Sequence, residues 1–357
     1  MLVVDAHEDI AWNILTFGRD YLKAAAEIRV AEAGTPIPSY NGNALLGLAD
    51  WQKGQVAVIF ATLFASPARK RLGEWDTQCY QDAYGAYQRA KAQLDVYRRL
   101  AEDERAPFAL IGGKDDLAAV LASWRNEEAK PGRVGLVPLM EGADPIREPQ
   151  EVEEWFEGGV RIVGLAWEAT SYAGGTHEPG PLTPAGVRLL EIMADFGMVL
   201  DLSHVAEEAY YQALERYEGA VIVSHANPRR FLPTSRGVSD DMIALLAQRG
   251  GVIGIVPYNA FLKPGWRKGD RREEVTLVQV ADAIDHVCQV TGSAQHVGIG
   301  SDFDGGFGLE HVPVGIDSVA DLSQIAVPLS ERGFSHEEIA GILGGNWLRI
   351  LQSSLPE

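Results

Sequence analysis

The chain has 357 residues, of which 46% are hydrophobic and 23% charged, a composition typical of a soluble globular protein rather than a disordered or membrane-spanning one. Its formal net charge of −19 would repel polyanions, so we expect neither a nucleic acid nor a membrane as a partner. Two cysteines allow at most one disulfide bond, and the chain enters an apolar stretch without a leader signal, so the sequence predicts a cytoplasmic protein.

The first predicted strand begins at Leu2 and carries three polar residues, Asp5, His7 and Asp9. Because side chains alternate along a strand, we expect these three to share one face. Burial of a carboxylate costs several kcal/mol unless it is paired or bound to a metal, so the pattern indicates a cation site. The alternative is a strand end with its polar groups in solvent, or one buried Asp–His hydrogen bond.

The next three segments predict a loop, a strand and a long helix. Residues 24–47, rich in Gly, Pro and Ala, predict a long loop over the mouth of the fold. Residues 56–64 are almost continuously apolar and predict a strand that is buried on both faces. The spacing of residues 76–104 predicts one helix, with Tyr84 in its buried stripe.

From there, strand-like runs alternate with helical ones. The further predicted strands are residues 108–111, 134–140, 160–167, 198–203, 220–224, 252–256 and 296–301. Capping residues predict helix starts at Thr183, Ser239 and Ser335. The alternation predicts an α/β fold, a single-domain (β/α)₈ TIM-type barrel over residues 1–357 with loop insertions. A doubly wound open sheet is the alternative, but no glycine-rich phosphate loop follows the first strand.

Ligand-type side chains follow several of these strands, where the active site of such a barrel lies. They are His7, Asp9, Glu141, His204, His225, Asp302 and Asp304. Each taken alone has an ordinary interpretation as a strand-end histidine or a loop carboxylate. Together they exceed the ligand set of one tetrahedral ion, and they predict a pair of metal ions that share a carboxylate.

Short motifs from residue 5 to residue 349 carry a resemblance to one family. They are Asp5-x-His7-x-Asp9, Met140-Glu141-Gly142, Asp201-Leu202-Ser203-His204-Val205, Ser224-His225, Gly300-Ser301-Asp302-Phe303-Asp304-Gly305 and Gly345-Asn346-Trp347-Leu348-Arg349. Each motif alone is weak, but the set is specific. The chain resembles the membrane (renal) dipeptidase family of zinc peptidases, which belongs to the amidohydrolase-like barrels.

The resemblance implies two Zn²⁺ ions per chain. By similarity, His7 and Asp9 would hold one ion. His204 and His225 would hold the second, and Glu141 would bridge the two. These roles agree with the chemistry of a two-metal site, because two cations lower the pKa of a bound water and polarise a carbonyl group.

The resemblance also implies the residues that act on substrate. Asp302 would be the acid/base that takes a proton from the nucleophilic metal-bridging water and passes it to the leaving amine. Arg236 would bind the substrate's terminal carboxylate, although a solvated loop arginine is the alternative. Tyr258 would line the pocket, or be a buried structural tyrosine. Trp167 departs from the pattern, since many family members have there a histidine that stabilises the substrate carbonyl.

The activity that the resemblance implies is hydrolysis of small peptides. The substrates would be dipeptides with a free C-terminal carboxylate, including those with a D-residue at that end. Two alternatives remain: another hydrolase of the same superfamily, acting on an N-acyl amino acid, a lactone or a cyclic amide, or a catalytically silent metal-stabilised binding protein. The oligomeric state, including a homo-oligomer, is left open.

Overall fold

One parallel sheet forms the centre of the computed structural model, which describes residues 1–125 and 132–357. Its strands are β1 Val3–Glu8, β2 Val56–Phe64, β3 Phe108–Leu110, β4 Val134–Glu141, β5 Ile162–Gly164, β6 Val199–Asp201, β7 Val221–Ile222, β8 Ile253–Ile255 and β9 Val297–Ile299. Buried apolar side chains cover both faces of these strands, as the continuous apolar runs predict.

The sheet closes into a ring. Its strand order is β7-β6-β5-β4-β2-β1-β9-β8, and an isolated bridge between Val223 and Ile253 joins the two ends. At this seam the Val223 amide donates to the Val252 carbonyl at 2.9 Å. β3 lies outside the ring. It pairs with the first residues of β4, on the side of β4 where β5 pairs with the later residues. The predicted (β/α)₈ barrel is therefore confirmed.

Helices surround the barrel. Those in the described part of the chain are α1 Ile10–Phe17, α2 Ala25–Glu32, α3 Ile37–Asn41, α4 Leu48–Lys53, α5 Ala83–Glu102, α6 Lys114–Ser123, α7 Val152–Glu157, α8 Pro184–Asp195, α9 Glu207–Arg216, α10 Asp240–Gln248, α11 Asn259–Leu262, α12 Leu277–Thr291, α13 Ala326–Glu331, α14 His336–Ala340 and α15 Asn346–Ser354, with a π-helical turn at Gly341–Gly345. The predicted N-caps at Thr183, Ser239 and Ser335 are confirmed, because each hydroxyl accepts a backbone N–H bond. Among residues 1–125 and 132–357, no helix combines the length and apolar composition needed to cross a membrane.

Two predicted segments differ from the structure. Residues 24–47 contain the helices α2 and α3 rather than one open loop. The helix predicted from residue 76 begins at Ala83, because Asp82 caps it and accepts the Gly85 N–H bond at 2.7 Å. Tyr84 is 56% exposed, so its placement in the buried stripe is wrong.

The first strand is irregular. Its pairing with β2 shifts register between Asp5 and Glu8, whose side chains are both fully buried. The Ser301 amide donates to Asp5 Oδ1 at 2.6 Å, and the Trp51 indole donates to Glu8 Oε2 at 2.9 Å. Asp5 therefore lies outside the clustered ligand-type groups that contain His7 and Asp9, and its bond to Ser301 makes it a structural carboxylate.

The C-terminal helix packs against the N-terminal ends of the strands. The buried Asn346 amide donates to the carbonyl oxygens of Ala294 and Val297, both at 2.7 Å. The Trp347 indole donates to the Ile299 carbonyl at 3.0 Å. These bonds explain the residues 345–349 motif as a clamp that holds α15 to β9, at the end of the barrel away from the polar cluster.

Replacement of Asn346 tests this clamp. Asn346→Leu leaves two carbonyl groups without their donor, so the free energy of unfolding should fall by about 2–4 kcal/mol. Urea denaturation measures the loss. Gln352→Leu, on the exposed side of the same helix, should change stability by less than about 0.5 kcal/mol. Equal effects of the two variants would contradict the clamp.

Candidate metal centre

Six ligand-type side chains converge at the C-terminal ends of the strands. They are His7 near the end of β1, Asp9 directly after β1, Glu141 at the end of β4, His204 after β6, His225 after β7 and Asp302 after β9. Their nitrogen and oxygen atoms form three overlapping groups, within each of which all atoms lie within 4.8 Å of one another. The barrel topology therefore brings together residues that are far apart in sequence.

Glu141 lies between two sets of imidazoles. Its Oε2 atom is 3.5 Å from Nε2 of His7. Its Oε1 atom is 3.1 Å from Nε2 of His204 and 3.4 Å from Nε2 of His225. The two oxygens of one carboxylate thus face different partners, which is the arrangement that a bridging ligand requires.

Hydroxyl groups orient the two histidines. Thr176 Oγ1 lies 2.8 Å from His204 Nδ1 and donates to the His204 carbonyl at 3.3 Å, which leaves it able to accept a hydrogen bond from Nδ1. Ser224 Oγ donates to Asp201 Oδ2 at 2.5 Å and lies 2.8 Å from His225 Nδ1. This bonding fits the Nδ1–H tautomer of both rings, which directs the Nε2 lone pairs into the site.

The resulting arrangement lacks protons. The Nε2 atoms of His204 and His225 lie 3.0 Å apart, and both face the Glu141 carboxylate. Burial lowers the pKa of His204 to about 4, and Arg236 adds to the effect, so the ring is neutral. Burial likewise holds the pKa of His225 well below its ordinary value. Three acceptors that point at one another fit a cation between them.

His7 lies on the other side of Glu141 and also faces carboxylates. It is fully buried, and neither ring nitrogen has a hydrogen-bond partner among the described residues. Its Nε2 atom is 3.8 Å from carboxylate oxygens of both Asp9 and Asp302. Burial opposes its protonation, but the carboxylates, Glu141 first, outweigh burial and raise its pKa to about 10. The surroundings of His7 therefore favour a positive charge, and the imidazole and carboxylate groups are ligands that suit a zinc-type divalent ion.

Backbone strain concentrates here. Asp302, Asp304 and His204 have φ angles of 58°, 62° and 65°, in the left-handed region that residues other than glycine rarely adopt. Among the described non-glycine residues, Gln55 is the other one with a positive φ. Two of these four residues, His204 and Asp302, therefore belong to the polar cluster, and Asp304 lies in the same turn as Asp302, as expected where local strain serves a site.

Asp304, which the sequence placed among the strand-end acids, lies outside the cluster. It is fully buried and accepts hydrogen bonds from the Tyr21 hydroxyl at 2.6 Å and the Leu45 amide at 2.9 Å. The Arg19 guanidinium pairs with it at 3.0 Å. Asp304 therefore anchors residues 19–45 over the mouth of the barrel.

A cavity of about 250 Å³ opens onto the cluster, near the small end of the usual range for ligand pockets. Several of the residues that line it were not identified from the sequence: Trp12, Phe64, Leu72, Phe261, Lys268 and Phe307. Phe64 ends β2 and could have been found by its strand-end position. The others lie on helices and loops whose approach to the mouth depends on tertiary packing.

Arg236 and Tyr258, which the resemblance assigns to substrate, both line the cavity. Arg236 donates to the His225 carbonyl at 2.6 Å, and its guanidinium lies 5.8 Å from the Phe261 ring centre. The Tyr258 ring stacks on Phe307 with centroids 4.5 Å apart. The structure thus brings both residues to the mouth.

Trp167 also lines the cavity. Its ring packs edge-to-face on Phe64 at 5.1 Å and lies 6.1 Å from the His204 ring. The position that holds a histidine in many members of the resembled family is therefore an apolar wall beside the cluster.

Comparison with protein families gives a match over almost the whole chain. The model for membrane dipeptidase (peptidase family M19) matches residues 1–354. An uncharacterised dipeptidase of Schizosaccharomyces pombe is 32% identical over 277 residues, which cover 76% of this chain and 64% of the relative. Dipeptidase aclJ of Aspergillus oryzae is 30% identical over 227 residues, which cover 62% and 52%. The matched regions thus span about half to two thirds of these relatives.

Solved structures share the fold over the full length. A metallopeptidase of Rhodobacter sphaeroides, liganded with a phosphinate mimic of the dipeptide L-Ala-D-Ala, aligns with a TM-score of 0.81 and 21% identity, covering 99% of both chains. The probable dipeptidase PvdM of Pseudomonas aeruginosa aligns with a TM-score of 0.80 and 19% identity, covering 99% of this chain and 96% of PvdM. At these identities the likeness concerns the fold.

The hydroxyl that orients His204 provides a test of the site. Thr176→Val keeps the side-chain shape but removes the acceptor for Nδ1–H, so affinity for a divalent metal ion should fall about 10- to 100-fold. Competition with a chelator measures the change. Thr16→Val is the matched control, because the Thr16 hydroxyl is buried with no partner among the described residues. Unchanged affinity in Thr176→Val would exclude the assigned tautomer.

Proposed function

The chain belongs to the membrane dipeptidase family, peptidase family M19, and from this premise we propose that it is a binuclear zinc dipeptidase. The observation that carries the proposal is Glu141, whose two oxygens face His7 on one side and His204 and His225 on the other. The proposed substrates are dipeptides with a free C-terminal carboxylate. Because the Rhodobacter sphaeroides relative binds a mimic of L-Ala-D-Ala, they include dipeptides with a C-terminal D-residue.

The proposed ligand set has one shared residue. His7 and Asp9 would hold one ion, His204 and His225 the other, and Glu141 both. Zinc supplies Lewis acidity, which polarises a carbonyl group and lowers the pKa of water. The buried acceptors described above support this assignment, because a cation satisfies them where protons do not.

Asp302 is the proposed acid/base. Burial raises its pKa to about 7, with Glu141 adding to the effect. A buried carboxyl group of this kind is a residue type that takes up and releases protons in catalysis. It lines the cavity and lies 3.8 Å from His7, beside the space where a scissile bond would lie. In the proposed reaction it accepts a proton from the attacking water and delivers it to the leaving amine.

Arg236 is the proposed anchor for the C-terminal carboxylate. Its planar guanidinium can bind a carboxylate through two parallel hydrogen bonds, and within the described residues its side chain donates to one protein acceptor. Tyr258 lines the same side of the cavity. Trp167 offers an apolar surface, so we propose no polar role in catalysis for that position.

Removal of metal tests the activity. Protein stripped of metal by a chelator should lose hydrolysis of dipeptides and regain it when Zn²⁺ is added. The assay covers L,L- and L,D-dipeptides together with N-acyl amino acids. Dipeptide hydrolysis that is unchanged by chelation would contradict the proposal. Turnover confined to N-acyl amino acids would favour the other superfamily activity.

Substitution of Asp302 tests the proton transfer. Asp302→Asn should keep both metal ions but lower kcat about 10²- to 10⁴-fold, because the amide cannot exchange the proton. Asparagine tolerates the left-handed backbone at this position, so the local fold should persist. Metal content by emission spectroscopy accompanies the kinetics. Asp195→Asn, at the exposed end of α8, should match the unmodified enzyme, and an unchanged kcat in Asp302→Asn would remove Asp302 from this role.

A further inference from the structure

The cavity carries a second cation besides Arg236. Lys268, in the loop between α11 and α12, lines the cavity and donates from Nζ to the Gly306 carbonyl at 2.8 Å. Within residues 1–125 and 132–357, no carboxylate forms an ion pair with it, and the nearby Glu310 accepts its hydrogen bonds from Asn43. Lys268 therefore presents at the cavity a positive charge that no described carboxylate pairs with directly.

A strip of aromatic rings connects the two cations. The Arg236 guanidinium lies 5.8 Å from the Phe261 ring, which is 5.0 Å from the Tyr258 ring. Tyr258 in turn stacks on Phe307 at 4.5 Å. Phe307 directly follows Gly306, whose carbonyl holds Lys268, so one continuous wall has a positive charge at each end.

The Lys268 end of this wall is close to the reacting groups. A Cβ atom at Gly305 would lie 2.3 Å from Asp302 Oδ1 and 2.6 Å from Asp9 Oδ2. The backbone next to the acceptor of Lys268 is thus in contact with the acids of the proposed metal centre. Lys268 is therefore held by the backbone that borders the proposed metal centre.

We propose that Lys268 selects dipeptides whose C-terminal residue carries a second carboxylate. The inference rests on the proposed function: Arg236 takes the C-terminal carboxylate, and the side chain of the same residue runs along the aromatic strip to Lys268. An acidic side chain then gains a charge-assisted hydrogen bond at the far end of the wall. Local attraction matters here because the chain as a whole carries a formal charge of −19 and would repel an anionic substrate.

A pair of isosteric dipeptides measures this selectivity. Ala-Glu and Ala-Gln, each tested with an L- and a D-configured second residue, differ in charge but hardly in shape. We expect kcat/KM for Ala-Glu to exceed that for Ala-Gln by about fivefold at low salt, mainly through KM. The ratio should shrink as ionic strength rises, because salt screens the attraction.

Variants assign the ratio to one residue. Lys268→Gln should bring the ratio of Ala-Glu to Ala-Gln close to one, and Lys268→Glu should bring it below one. Lys263→Gln is the matched control, since Lys263 lies in the same loop, outside the cavity lining, and pairs with Glu274 at 2.6 Å. This control should keep the ratio of the unmodified enzyme.

The outcomes separate the two proposals. Hydrolysis of both dipeptides without preference for Ala-Glu, or a preference that survives in Lys268→Glu, would overturn the role of Lys268 and leave the dipeptidase activity intact. Hydrolysis of neither, by metal-loaded enzyme that turns over no other dipeptide, would overturn the proposed function and this inference with it.

Discussion

Buried groups that lack protons are the constraint on which the rest of the structure depends. The barrel mouth packs carboxylates and imidazoles together, and Thr176 and Ser224 turn the lone pairs of His204 and His225 toward the same Glu141 carboxylate. In a low-dielectric interior such acceptors repel one another unless a cation lies between them. The hydroxyl groups of Thr176 and Ser224 direct both histidines toward one point, and this arrangement is stable only if the repulsion there is relieved. The hydrogen bonds outside the centre therefore depend on the charge inside it.

The turn after β9 shows how the fold divides its acids. Asp302 faces the cavity, whereas Asp304, two residues later, is buried against Arg19 and Tyr21. Both residues adopt the left-handed backbone. The packing of residues 19–45 on Asp304 holds the strained turn in place, so Asp304 supplies the rigidity that the proposed role of Asp302 requires.

The sequence predicted the elements whose signals are local. Apolar runs located the strands, hydroxyl caps located helix starts, and the strand-end rule brought His204 and Asp302 to one mouth. It misplaced Asp5, because a register shift in β1 breaks the alternation on which the prediction depended. It could not find Leu72 or Lys268, since loop positions are set by long-range contacts that leave no periodic pattern. The helix predicted from residue 76 failed for a related reason, as the bridge between Pro67 and Tyr80 holds the preceding segment extended.

The pairing of β1 with β9 affects how the molecule folds as it is synthesised. The first strand of the chain pairs with the last, and the Ser301 amide donates a hydrogen bond to Asp5 between the two strands. His7 and Asp302 therefore meet only after nearly the whole polypeptide has emerged from the ribosome. Contacts of such long sequence separation form late in folding, because the intervening chain must first lose its freedom. In a nascent chain these side chains therefore stay apart until the final strand docks, so the proposed ligand set is completed only at the end of folding.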